Sequence, residues 1–271
     1  ASPPPPGGGG REHGRSFMAL QNAPFWYADG DRRKAMLPYK DNIPSRRVPF
    51  ITWALIGINV IVFIFELMEG SNIEQVFYQF GMVPAYVTAG IYGPRYEVLP
   101  FLTSMFMHAG WLHIGGNMLY LWIFGDNVED RMGHVVFLLF YLLSGVGASL
   151  LHLATDPGSA VPTVGASGAI AGVMGAYLVL YPKARIRTVV FFFYLIRIME
   201  IPALVLLGFW FVLQFFSGVV ASVGTAESGG VAFWAHVGGF IVGIAGGFLA
   251  KLLTKDRSME VISPDGRSVW R

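Results

Sequence analysis

The chain has 271 residues, 54% of them hydrophobic and only 13% charged, with a formal net charge of +2. A composition this apolar and charge-poor excludes an ordinary soluble domain and points to membrane spans of about 20 residues. Cysteine is absent, which excludes a disulfide framework and a thiolate metal site.

Residues 1–10, Ala-Ser-Pro-Pro-Pro-Pro-Gly-Gly-Gly-Gly, form a low-complexity stretch expected to be disordered. The polar and basic region 1–45 has no apolar core, so no secretory signal is read there. Six apolar spans follow, over 49–68, 112–125, 135–154, 167–181, 200–223 and 231–250. Placing both ends of the chain in the cytoplasm puts 18 of the 19 basic residues on that side and leaves only Arg95 outside. The expected organisation is a disordered, basic cytoplasmic region 1–45, a six-span membrane domain 46–254 and a cytoplasmic tail 255–271. The outer segment 69–107, with Phe77-Tyr78-Gln79-Phe80 and Tyr96, is expected to lie partly in the membrane interface. In the short inner loop, Glu129 and Arg131 read as a structural pair.

The fourth span is short. Fifteen residues from Ser167 to Tyr181 reach about 22 Å, against a hydrocarbon core of about 30 Å. Anchored at the cytoplasmic side by Tyr181-Pro182-Lys183, this helix begins below the outer surface, and the loop Asp156–Val164 descends to meet it. Irregular backbone at that depth requires a protein-lined or watery cavity. Ser167, in Gly165-Ala166-Ser167-Gly168-Ala169, then stands at a helix start inside the membrane. His236, in Ala235-His236-Val237-Gly238-Gly239, lies about 9 Å into the sixth span. Gly168, Gly172 and Gly175 share one face of the fourth span, and Gly239, Gly243 and Gly246 the His236 face of the sixth. Small residues so spaced let membrane helices approach closely, bringing hydroxyl and imidazole together.

Each feature alone has a plainer explanation. A membrane serine commonly bonds a backbone carbonyl or caps a helix, and a membrane histidine can bind an ion or relay protons. It is their conjunction that suggests a nucleophile and its base. In the second span His113 and Asn117 stand four apart on one helix face, placed either as neutral donors for an oxyanion or as an interhelical clasp. A metal site of His108, His113 and His236 lacks any supporting ligand spacing. A transporter would be expected to show paired internal charges or inverted repeats, and neither occurs.

Four motifs together resemble the rhomboid family of intramembrane serine proteases. They are His108-Ala109-Gly110-Trp111-Leu112-His113-Ile114-Gly115-Gly116-Asn117, Gly125 with Glu129-Asp130-Arg131-Met132-Gly133, and the Ser167 and His236 segments, in that order over about 49–252. The resemblance implies an all-α bundle of six transmembrane helices with a short, sunken fourth. It implies Ser167 as nucleophile, His236 as general base, and His113 and Asn117 as oxyanion donors, without a catalytic aspartate. It implies transmembrane proteins as substrates within a lipid bilayer, no cofactor, metal or nucleic acid, and a multi-pass protein of a bacterial plasma membrane. The alternative within the family is an inactive protein that binds membrane helices. Two positions depart from the family pattern. Leu99-Pro100 replaces Trp-Arg in the first outer loop, and Ala171 stands where an aromatic usually stacks on the catalytic histidine. Either the imidazole is less tightly oriented as a result, or another ring, Phe233 or Trp234, supports it. The fifth span, with Phe209-Trp210-Phe211 and Phe215-Phe216, is either a lateral gate or a lipid-facing surface.

Overall fold

The structure, a computed structural model, describes residues 34–93, 98–192, 195–223, 232–254, 260–262 and 268–270. The expectations for residues 1–33, Arg95, Tyr96 and most of the tail 255–271 lie outside the described residues. The chain is mostly helical. Strand β1 (Lys34–Asp41) precedes α1 (Phe50–Glu69), followed by a short 3-10 turn and α2 (Ile73–Phe80). The outer segment continues as α3 (Pro84–Thr88) and α4 (Leu99–Thr103). Then come α5 (Trp111–Met132), α6 (His134–Thr155), α7 (Ser167–Leu180), β2 (Arg185–Phe192), β3 (Leu195–Pro202), α8 (Ala203–Val223) and α9 (Phe233–Leu253). Two short strands, β4 (Glu260–Ile262) and β5 (Ser268–Trp270), pair antiparallel.

Among the described residues, Phe50–Phe80, His134–Thr155, Ala203–Ser222 and Phe233–Leu253 are long and apolar enough to cross a membrane. Two of the six expected spans fall outside that set for different reasons. Helix α5 is long enough at 22 residues but less apolar, since His113, Asn117, Asp126 and Asn127 are spread along it before the charged end Glu129-Asp130-Arg131. Helix α7 is apolar but has only 14 residues, about 21 Å at 1.5 Å per residue.

The turn between α5 and α6 is shorter than the inner loop read from sequence. Helix α5 runs through Met132, and the chain reverses at Gly133, whose φ of 80° favours glycine. Glu129 has a further role that the sequence did not suggest. Its carboxylate, 1% exposed, accepts from the Ile51 and Thr52 amides at 2.9 and 2.8 Å and from the Thr52 hydroxyl at 2.7 Å. It also meets His134 Nδ1 at 2.5 Å. Glu129 therefore caps the start of α1 from another helix, where free amides and the helix dipole favour an anion.

Residues 34–41 form a strand instead of continuing an irregular tail. The sheet order is β1-β2-β3, antiparallel throughout. In β2 the buried Ile186 and Thr188 alternate with Arg185 and Arg187, the period-2 pattern of a half-buried strand. Arg187 pairs with Glu200 across the ladder at 3.2 Å. Because β3 occupies 195–202, the fifth span begins as helix at Ala203 rather than at Glu200.

A buried polar knot ties β1 to the helices. Asp41 Oδ2 accepts from the Tyr177 hydroxyl of α7 at 2.6 Å and from Asn127 Nδ2 of α5 at 2.9 Å. Burial pushes the Asp41 carboxyl from its ordinary 3.8 up to about 7; the Tyr177 hydrogen bond opposes this and the Asp126 charge adds to it. A raised folded-state pKa favours the folded form while the group is protonated. The contribution is full below the unfolded value and is lost as pH rises through about 7. Amide exchange at β1, corrected for intrinsic rates, is expected to increase by up to about tenfold per pH unit over that window. Asp41→Asn should flatten the dependence.

Helix α7 is buried on nearly all sides, packed between α9, α6 and α5. Its apolar residues cover the whole circumference, as a helix enclosed by others requires. The closest approach is to α9. A Cβ on Gly239 would overlap the Gly168 carbonyl oxygen, and one on Gly243 the Gly172 carbonyl oxygen. One turn further, a Cβ on Gly247 would stand 2.9 Å from the Ala176 Cα. Gly246 points instead at Phe140 of α6, correcting the expected glycine face at its last member.

Candidate active site

Ser167 opens α7, and its position is set by the loop before it. Thr163 pairs with Met82 through two backbone hydrogen bonds of 2.8 and 3.1 Å, and the Gly165 amide donates to the Ser104 carbonyl at 2.8 Å. Gly165 has φ 134°, a conformation side-chain-bearing residues rarely adopt. There is also no room for a side chain, because a Cβ there would stand 2.7 Å from His113 Nε2. His236 lies in the first turn of α9, its amide donating to the Ala232 carbonyl. The glycine contacts between α7 and α9 bring these two helix starts side by side.

His236 Nε2 lies 2.7 Å from Ser167 Oγ. The imidazole is 7% exposed, and its other nitrogen, Nδ1, lies 2.7 Å from the side-chain oxygen of Gln214 on α8. Trp210, one turn earlier on α8, places its ring centroid 5.8 Å from that of His236 at 40°. The ring beside the imidazole is therefore Trp210, not Phe233 or Trp234. Trp234 packs against Phe215 and donates its indole N–H to Ser222.

Sequence reasoning passed over Gln214 and read Trp210 only as part of a gate or a lipid-facing surface. Gln214 is the one carboxamide in the fifth span, and it stands four residues after Trp210 on the same helical face. That signal could have found them.

His113 and Asn117 occupy successive turns of α5. One point, where Gly165 would carry a Cβ, lies 2.7 Å from His113 Nε2 and 3.5 Å from Ser167 Oγ. The histidine and the serine thus border the same small space. Asn117 is 4% exposed, and its Nδ2 has no hydrogen-bond partner among the described residues. A buried donor left unpaired is costly and calls for an explanation. His108 is 1% exposed beneath this group, with its backbone amide bound by Glu66 and its ring centroid 5.1 Å from that of His113.

The aromatic run of the fifth span divides between two surroundings. Phe211 stacks on Phe240 of α9 with centroids 4.8 Å apart. Phe209 and Phe216, more than half exposed, point away from the helices.

The hydroxyl–imidazole hydrogen bond thus lies at the start of an enclosed helix in a mostly helical protein with several spans apolar enough for a membrane. The chain belongs to the rhomboid family, the Rhomboid domain model matching residues 95–252. It is similar to Rhomboid protein 1, mitochondrial, of Saccharomyces cerevisiae, with 30% identity over 219 residues, 76% of this chain and 55% of that protein. It is also similar to Rhomboid-like protein 11, chloroplastic, of Arabidopsis thaliana, with 45% identity over 73 residues, 27% of this chain and 26% of the relative. The Rhomboid protease GluP of Bacillus subtilis shares 33% identity over 131 residues, 48% of this chain and 24% of its own length. The matched regions thus span from about a quarter to about half of these curated relatives.

Proposed function

We propose that this chain is an intramembrane serine endopeptidase that cleaves transmembrane proteins in or near their spans. The observation that carries the reading is the 2.7 Å approach of His236 Nε2 to Ser167 Oγ, beside an Asn117 amide with no partner among the described residues. Neutral His236 takes the proton of Ser167 as Oγ attacks the scissile carbonyl carbon. The resulting oxyanion is stabilised by His113, Asn117 and the free amides at the start of α7. His236 then protonates the departing amine as the C–N bond breaks, leaving an acyl ester on Ser167. Water, deprotonated by the same nitrogen, releases the acyl group and restores the serine.

In this reading α1, α5, α6, α7, α8 and α9 form a six-span bundle with α7 sunk below the outer surface and both ends cytoplasmic. A site at that depth favours spans that unwind easily, carrying glycine, proline or polar residues near the outer face. A bacterial plasma membrane is the proposed location; the Bacillus subtilis relative is bacterial, whereas those of Saccharomyces cerevisiae and Arabidopsis thaliana are named mitochondrial and chloroplastic.

Incubating the purified protein in detergent with such a single-span substrate tests the reading. Cleavage within or next to the span is expected. Binding without cleavage would place the chain among helix-binding relatives that lack activity. Asn117→Ala is expected to lower kcat by about 10²–10³-fold, because a donor aimed at developing charge acts mainly in the transition state. KM should change little, and steady-state kinetics on the same substrate decide.

A further inference from the structure

We propose that Gln214 is the positioning residue that sets the tautomer of His236, standing where soluble serine hydrolases place a carboxylate. The proposal rests on the serine–histidine reading above. A carboxamide oxygen can only accept a hydrogen bond. With Gln214 Oε1 at 2.7 Å, His236 Nδ1 must be the donor and therefore carries the ring proton. Nε2 is left with its lone pair, 2.7 Å from Ser167 Oγ and ready to accept the hydroxyl proton. Reversing the tautomer would put an N–H against the serine and remove the base.

The surroundings hold this arrangement in place. Gln214 is 6% exposed, and Trp210, one turn away on the same helix, lies beside the imidazole. Helix α8 thus grips the imidazole on its Nδ1 side while Ser167 of α7 engages Nε2. Among the described residues, the other titratable groups felt by His236 are His113 of α5 and His152 of α6, and neither is a carboxylate. A neutral amide orients the ring without bringing a fixed charge to membrane depth. It also stabilises the imidazolium less than a carboxylate would, which makes His236 a weaker base.

The test compares the parent with Gln214→Met and Gln214→Glu in the full chain, purified in detergent. Met keeps the approximate length but has no comparable acceptor; Glu keeps an oxygen acceptor. Two quantities are read: the rate of fluorophosphonate labelling at Ser167 across pH, and the ring ¹⁵N shifts of His236, assigned by their loss in His236→Ala. Gln214→Met is expected to slow labelling by about 10²-fold and to move the ¹⁵N signature away from the Nδ1–H form. Gln214→Glu is expected to recover most of the rate, with the acidic limb of its pH profile displaced upward. Labelling of Gln214→Met at the parental rate, or a parent ring already in the Nε2–H form, overturns the proposal. A parent that is not labelled, but whose ring changes tautomer in Gln214→Met, keeps the positioning role and sinks the peptidase reading instead.

Discussion

Ser167→Ala and His236→Ala are each expected to lower substrate cleavage by at least about 10³-fold and to abolish fluorophosphonate labelling at residue 167. Members of a nucleophile–base unit act together, so removing either costs nearly as much as removing both. The two variants differ in what they do to the fold. Ser167→Ala deletes one partly exposed oxygen and should leave thermal unfolding in detergent almost unchanged. His236→Ala empties a buried site and strands the Gln214 oxygen, at a cost of about 1–3 kcal/mol for the unpaired acceptor. The double variant should be no less active than the worse single one. Cleavage by both single variants at the parental rate would refute the assignment.

Gly239→Ala and Gly243→Ala are expected to be the most damaging single-methyl additions outside the reacting groups. Each would drive a Cβ into a carbonyl oxygen of α7, at Gly168 and Gly172 respectively. A backbone oxygen cannot rotate aside as a side chain can, so the two helices must separate. Overpacking of this kind costs about 1–3 kcal/mol or more. The side of α7 that faces α6 cannot absorb the movement. Methyls on Gly168 and Gly172 would meet Ala148 and Ser144 of α6, so the helix is already tightly flanked there. Separation also draws Ser167 away from His236, and activity should fall further than the loss of stability alone explains. Gly57→Ala and Gly208→Ala are the controls. Both glycines are helical with nothing within 4 Å of an added Cβ, and replacement should stabilise the helix by up to about 1 kcal/mol. Thermal unfolding and labelling rate, measured together on the four variants, separate the two groups.

Much of the helical arrangement was legible because membrane spans announce themselves by composition. Four helices long and apolar enough to cross a membrane begin within three residues of expected spans, and three of them also end so; the first, Phe50–Phe80, runs on into the segment read as outer loop. The small sheet was not legible. Its central strand reads as a basic loop, since Arg185 and Arg187 mark a cytoplasmic surface. Only pairing with β1 and β3 reveals that Ile186 and Thr188 are its buried face. The capping role of Glu129 was hidden for a related reason. The amides that bind it begin another helix, 77 and 78 residues earlier.

The candidate site divides in the same way. Ser167, His236, His113 and Asn117 stood out because polar groups are costly at membrane depth and glycines mark close helix packing, both local properties of a chain in lipid. Which glycines meet which neighbours depended on the rotation of α9 about its axis, and that placed Gly247 rather than Gly246 against α7. The partners of His236 were likewise decided in three dimensions. Gln214 and Trp210 come from a helix more than 20 residues earlier, and no spacing rule connects them to the imidazole. Local chemistry sets which residues must be buried or paired. The packing of whole helices decides with whom, because each contact is shared by segments whose separation along the chain carries no energy of its own.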